Sequence, residues 1–261
     1  MAQVRVLILR AAGINCDLET QHAWELAGGV PTRIHVRQLI EQPSQLDDFQ
    51  ILTIPGGFSY GDDIAAGRIL ANQVRRHLID GLERFIGAGK LVLGICNGFQ
   101  VLVQTNILPF GRTTTRPRRC TIAENAPAGF QDRWVYLQAP ESRCVFLDPG
   151  QVYEMPIAHG EGRVIFADDA DLAAVTQGGQ IALTYGPPRP GNANLHGVPT
   201  NPNGSQADIA GLCDATGRVL GLMPHPERFV AWTQHPCWTS QPARPAGDGL
   251  ALFLRAVGYF A

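Results

Sequence analysis

Leu91-Val92-Leu93-Gly94-Ile95-Cys96-Asn97-Gly98-Phe99-Gln100-Val101-Leu102-Val103 decides the fold. Its first five positions are apolar or glycine without a break, the length and character of a strand buried on both faces of a parallel sheet. At Cys96 the pattern turns into Phe99, Val101, Leu102 and Val103, a helical stretch ended by Asn106 and Pro109. A strand that runs straight into a helix is the building unit of an α/β fold.

The same alternation extends upstream. Residues 4–9 read as a strand, followed by a helix that Asn15 or Asp17 can cap and that ends near Gly28-Gly29. Residues 32–36 and 51–54 are further strands, the second stopped by Pro55-Gly56-Gly57. Val74, Leu78, Leu82, Phe85 and Ile86 share one helical face, with Gly87 and Gly89 at its end. From 116 to 185 the character changes. Short strand-like segments at 134–137, 144–147, 164–166 and 181–184, separated by Pro, Gly and Asp, predict an antiparallel excursion on the edge of the α/β core. Residues 186–205 read as loop, 219–223 as a buried strand and 249–257 as a terminal helix. There is no internal repeat, and residues 1–261 are expected to form a single domain carrying an insertion.

Composition narrows the class. The chain has 261 residues, 45% hydrophobic and 17% charged, which excludes a disordered chain. A net charge of −2 leaves no basic footprint for nucleic acid. No apolar run approaches the roughly 18 residues that span a bilayer, and Arg5 and Arg10 break up the amino-terminal run as a secretory segment. A cytoplasmic location is expected. The basic stretch from Arg112 to Arg119 reads as a solvated surface or a site for a small anion. Six cysteines, no two closer than 24 positions and none in a CxxC pair, argue against a zinc ribbon or a disulfide scaffold.

The chemistry centres on Gly94-Ile95-Cys96-Asn97-Gly98. Flanking glycines permit the sharp strand-to-helix turn that raises a nucleophile above a sheet, and the helix amino terminus favours the thiolate. The bland alternative is a buried structural cysteine. A rival lies at Gly57-Phe58-Ser59-Tyr60-Gly61, which matches G-x-S-x-G, but Pro55 and Gly56 separate it from its strand and no helical pattern follows Ser59. Of seven histidines, His225 stands apart in Met223-Pro224-His225-Pro226-Glu227-Arg228. Pro226 pushes His225 into an extended conformation, in which His225 and Glu227 point the same way. The segment follows a buried strand and so emerges at the carboxyl edge of the sheet, where open α/β folds bind ligands. A metal site at this place lacks a third ligand nearby in sequence. A Cys96–His225–Glu227 triad explains more of the residues than a proline-stiffened turn does.

Together with Gly13-Ile14-Asn15-Cys16-Asp17, the stretch from Pro55 to Asp62, and Ile157-Ala158-His159-Gly160-Glu161-Gly162-Arg163, these motifs resemble the class I (triad) glutamine amidotransferases. Within that family they look like the glutaminase subunits of phosphoribosylformylglycinamidine synthases. The resemblance implies a flavodoxin-like α/β fold with a central, mostly parallel sheet. It implies Cys96, His225 and Glu227 as the triad, an oxyanion hole from the backbone N–H groups of Gly57 and Asn97, and Gln100 near bound glutamine. It further implies ammonia delivery to a synthetase subunit that carries ATP and Mg²⁺ and aminates formylglycinamide ribonucleotide, in an assembly with room for a small third subunit. No cofactor is expected on this chain, which has no Walker A pattern. Ala12 and Ile14 stand where the family commonly has Pro and Thr. Asp63 and Ala65 replace a usual aromatic and basic residue, and the Pro-rich segment 232–248 is longer than in compact members. The competing readings are a stand-alone cysteine or serine hydrolase and a catalytically dead interaction subunit.

Overall fold

The computed structural model describes residues 3–111, 118–188 and 200–261. In chain order the elements are β1 (Arg5–Arg10), α1 (Asp17–Leu26), β2 (Val30–His35), α2 (Val36–Glu41), β3 (Ile51–Ile54), α3 (Arg68–Gln73), α4 (Ile79–Gly87), β4 (Leu91–Ile95) and α5 (Asn97–Gln104). Then come β5 (Cys120–Glu124), β6 (Gln131–Gln138), β7 (Val152–His159), β8 (Glu161–Phe166), α6 (Asp169–Gln177), β9 (Ile181–Tyr185), β10 (Ile209–Cys213), β11 (Val219–Leu222) and α7 (Leu250–Gly258).

Nine strands form one sheet in the order β2-β1-β3-β4-β11-β10-β9-β6-β7. The first five run parallel, and the rest extend the sheet by antiparallel pairing from β11 outward. Strands β5 and β8 form a separate antiparallel pair. β4 is buried at every position, as its unbroken apolar run requires at the centre of a parallel sheet. From β1 the chain crosses to β2 in one direction, and from β3 to β4 and from β4 to β11 in the other, so right-handed crossovers put α1 on one face and α3, α4 and α5 on the opposite one. On the α1 face, Trp24 meets Phe253 of α7 edge-on at 4.8 Å and donates its indole N–H to Thr53 Oγ1 at 3.0 Å. That bond satisfies both buried polar groups.

Several local expectations need correction. Residues 144–147 form a turn, in which Val145 N donates to Gly217 O at 3.1 Å, rather than a strand. β5, β7, β10, α2, α3 and α6 have no counterpart in the sequence reading. The N-cap position of α1 belongs to Cys16, without a side-chain cap bond. Asp17 instead pairs with Arg10 at 2.8 Å and Arg33 at 3.0 Å, and that ion-pair cluster ties the helix start to β1 and β2. The helical face from Val74 to Ile86 spans two pieces, with a wide turn over Val74–Leu78 leading into α4. Of the basic stretch, Arg112 and Arg116 lie outside the described residues, as does most of the 186–205 loop, while Arg119 pairs with Asp168 and Asp171.

Candidate active site

Cys96 sits where β4 becomes α5, with φ of 50° and ψ of −104°. That conformation costs a non-glycine residue roughly 1–3 kcal/mol and persists only where the surroundings enforce it. Here β4 and β11 fix the strand side, since Cys96 N donates to Leu222 O at 2.8 Å. The helix side is fixed by crowding. A Cβ on Gly98 would stand 1.9 Å from Ile54 O, so only glycine lets α5 start against β3.

The imidazole comes from the other side of the same edge. β11 ends at Leu222, and the chain turns through His225 into a short 3-10 turn, Pro226–Arg228. His225 Nδ1 donates to Glu227 Oε1 at 2.7 Å, and both side chains are buried. Burial works against a charged ring, but the Glu227 carboxylate and the Cys96 sulfur outweigh it and hold the His225 pKa well above its ordinary value. Among the described residues, His225 Nε2 and Glu227 Oε2 have no hydrogen-bond partner.

The antiparallel half of the sheet closes the site. Pro156 and Ala158, two apart on β7, pair across from Trp134 and Asp132 of β6. Their carbonyls leave by the free edge of the strand: Pro156 O accepts from His225 N at 2.9 Å, and the Cys96 thiol lies 3.7 Å from Ala158 O. Both halves of the dyad are thus gauged against one strand. A cavity of about 220 Å³ opens here, lined by Asn15, Cys16, Gly57, Phe58, Cys96, Phe130, Asp132, Ala158, His225 and Arg228. It falls below the roughly 300 Å³ at which drug-sized pockets begin and suits a single amino acid.

Among the expected oxyanion residues, Gly57 lines this cavity with φ of 134°. A Cβ there would stand 2.7 Å from Asn15 N and 2.8 Å from Gly13 O. Asn97 begins α5, so its N–H belongs to the unpaired first turn of the helix, and its side chain donates to Asp62 Oδ1 at 3.1 Å and Gln100 Oε1 at 3.0 Å. Gln100 is buried behind the elbow, donating to Glu161 O at 2.6 Å, and does not line the cavity. Ser59 is buried with no partner on its hydroxyl, so no described base contacts it and the serine-hydrolase reading fails.

Sequence reasoning missed Cys16 at this site, although it quoted the motif containing it. The fold brings Cys16 against the dyad: one donor atom each from Cys16, His225 and Glu227 lie within 4.8 Å of one another. Burial pushes the Cys16 thiol up to about 11. Arg228 Nη2 donates to its sulfur at 3.2 Å, while Arg228 Nε donates to Glu19 Oε1 at 2.9 Å. His159, also unassigned from sequence, is buried, with Nδ1 3.1 Å from Asn125 Oδ1.

Comparison with known proteins agrees with this geometry. Residues 3–260 match the CobB/CobQ-like glutamine amidotransferase domain. The chain is 43% identical to the phosphoribosylformylglycinamidine synthase subunit PurQ of Dehalococcoides mccartyi, over 98% of each chain. It is 39% identical to that of Methanococcus maripaludis strain S2, over 98% of this chain and 97% of the other. Among solved structures it resembles a chain of PurLQS from Thermotoga maritima, with TM-score 0.72, 28% identity and full coverage of both chains. A T. maritima glutamine amidotransferase with TM-score 0.56 and 13% identity, covering 100% of this chain and 98% of that one, shares the fold. With a flavodoxin-like sheet, a cysteine at the strand-helix elbow and these relatives, the chain belongs to the CobB/CobQ-like glutamine amidotransferase domain family.

Proposed function

We propose that this chain, as one domain over residues 1–261, is the glutaminase subunit of a phosphoribosylformylglycinamidine synthase. It hydrolyses glutamine to glutamate and ammonia and hands the ammonia to a synthetase subunit. One observation carries the reading: Cys96, strained at its elbow, and the buried His225–Glu227 pair share a cavity of amino-acid size. The relatives named above supply the class of partner.

Cys96 sulfur attacks the side-chain amide carbon of glutamine, and His225 Nε2 takes the thiol proton. The negative charge that develops on the amide oxygen is met by the N–H groups of Gly57 and Asn97. Collapse breaks the C–N bond, the imidazolium returns its proton to the leaving nitrogen, and ammonia departs from a γ-glutamyl thioester. Water, deprotonated by His225, then attacks the thioester carbon; the C–S bond breaks, the imidazolium returns its proton to the Cys96 sulfur, and glutamate leaves. Glu227 holds the imidazole tautomer and stabilises its cation throughout. Gln100 acts at one remove, bracing Asn97 and Glu161 behind the elbow. ATP and Mg²⁺ belong to the synthetase, with a small third subunit in the assembly, and the complex works in the cytoplasm. No helix among the described residues is long and apolar enough to cross a membrane.

The test is Cys96→Ser in the assembled complex. Glutamine-dependent synthesis should fall by several orders of magnitude while ammonia-dependent synthesis is retained, because the amination site lies on another chain. Near-normal glutamate release from a Cys96→Ala chain would overturn the assignment.

A further inference from the structure

A histidine and a glutamate alone make a poor metal site, and the sequence shows no third donor close to them. The fold supplies one from 209 positions away. Cys16, at the start of α1, lies wholly buried beside the His225–Glu227 pair. No two of the three donor atoms are more than 4.8 Å apart. Thiol, imidazole and carboxylate form a donor set suited to zinc and other thiophilic divalent cations. In a tetrahedral zinc site, metal–ligand lengths near 2.0–2.3 Å put donors about 3.5 Å apart. The cluster therefore needs a contraction of at most about 1.3 Å along its longest edge, with the His225–Glu227 contact opening slightly.

Two further observations point to a ligand here. His225 Nε2 and Glu227 Oε2 are buried and have no hydrogen-bond partner among the described residues, so once the imidazolium gives up its proton each can offer a lone pair to a cation. The sulfur of Cys16 is also treated as an acceptor rather than as apolar filling, since Arg228 Nη2 donates to it at 3.2 Å. An N–H donor of this kind steadies a metal-bound thiolate from outside the coordination shell. Access exists, because Cys16 and His225 both line the cavity at Cys96.

We propose that Cys16, His225 and Glu227 form a site for a thiophilic divalent cation such as Zn²⁺, with the fourth position open to the cavity, and that its occupation reversibly stops glutamine hydrolysis. The cation binds as the Cys16 thiol and the His225 imidazolium each release a proton to solvent, with no change of oxidation state. It withdraws the imidazole from Cys96 and displaces the carboxylate that orients it. The inhibitory consequence rests on the triad reading above; the binding does not.

Binding is tested first on the full-length Cys96→Ser chain, using Co²⁺ as a spectroscopic probe and Zn²⁺ as its competitor. A thiolate-to-cobalt charge-transfer band should appear with one equivalent and vanish on adding Zn²⁺. A second substitution, Cys16→Ser, should abolish it, while Cys237→Ser, which removes the more exposed cysteine, should leave it intact. Cys16→Ala, checked for native circular dichroism, guards against a folding defect. No band in the Cys96→Ser chain, or a band that survives both Cys16 replacements in folded protein, overturns the proposal. In chains that keep Cys96, Cys16→Ser should raise the Zn²⁺ concentration for half-inhibition by more than about 100-fold, because changes outside the shell alone cost 10–100-fold. Inhibition of equal strength in both chains would place the cation on Cys96 instead.

Discussion

Glu227 shows how much a single buried atom decides. Its Oε1 lies 2.7 Å from His225 Nδ1 and both side chains are buried, so solvent screens its charge on the ring far less than at the surface. Glu227→Gln preserves shape but removes that charge and allows the wrong tautomer. Turnover should fall at least about 10²-fold with KM for glutamine little changed. A loss confined to KM would move Glu227 from the triad to substrate binding. His159 makes the opposite case. Burial, with a further contribution from the nearby His225 charge, lowers its pKa from 6.5 to about 3. The unfolded chain therefore takes up a proton below about pH 6.5 that the folded chain refuses, and stability is lost as pH falls from there towards 3. At about 1.4 kcal/mol per pH unit, going from pH 6.5 to 5 should cost roughly 2 kcal/mol from this one side chain. Denaturant midpoints at the two pH values should converge in His159→Gln relative to the parent. An unchanged difference would show that other groups carry the acid sensitivity.

At the scale of elements, the strand-turn-helix at β4–α5 was legible because its constraints are local. An apolar run, two glycines and a helical period lie within thirteen residues. The pairing of His225 with Glu227 was legible from their spacing, but the extended run expected there is instead a 3-10 turn over Pro226–Arg228, which brings the two side chains together by turning the chain. β7 was not legible. Pro156 within it argues against a strand, and only its place at the end of the sheet makes the missing N–H harmless. Its edge carbonyls nevertheless gauge the spacing of Cys96 and His225, a relation that no local pattern announces. Cys16 was quoted but not placed, because contact between positions 16 and 225 depends on the whole sheet. α6 was missed although Asp168 caps it, accepting from Asp171 N at 2.9 Å, and Gly178 ends it; the acidic cluster was read as a separator. The elbow offers the sharpest element-scale test. Gly98→Ala would force a Cβ to within 1.9 Å of Ile54 O, backbone that cannot swing away. The expected cost is about 3 kcal/mol or more, at the upper end of overpacking effects, with activity lost as α5 shifts. A thermal midpoint within a degree or two of the parent would mean that the junction is looser than its crowding implies.

For the whole molecule, the question is how a glutaminase avoids spilling ammonia. The cavity mouth carries two exposed aromatic rings, Phe58 and Phe130, 6.4 Å apart, and both line the cavity. Apolar surface at the rim of a reactive site favours cover by a partner. The Gly56-Gly57 loop beside it, proposed above to supply an oxyanion donor, is set for adjustment. Gly56 O accepts from Cys16 N over a long 3.4 Å, so the N–H of the same peptide, on Gly57, points the opposite way. A peptide joining two glycines can rotate where bulkier residues would resist, and such a weak bond forfeits little on turning. If docking of the synthetase sets this donor, the isolated chain works with an incomplete oxyanion hole. Losing one donor costs about 10²–10³ in turnover. Glutamate release by the chain alone should therefore be slower than in the complex by at least that factor. It should rise steeply on adding the synthetase with its nucleotide and acceptor substrate, while labelling of Cys96 by a thiol-directed glutamine analogue changes far less. Full activity in the isolated chain would remove the gate and leave the triad standing. A rise that is matched by equally faster labelling would instead locate the control at Cys96 itself, upstream of the oxyanion.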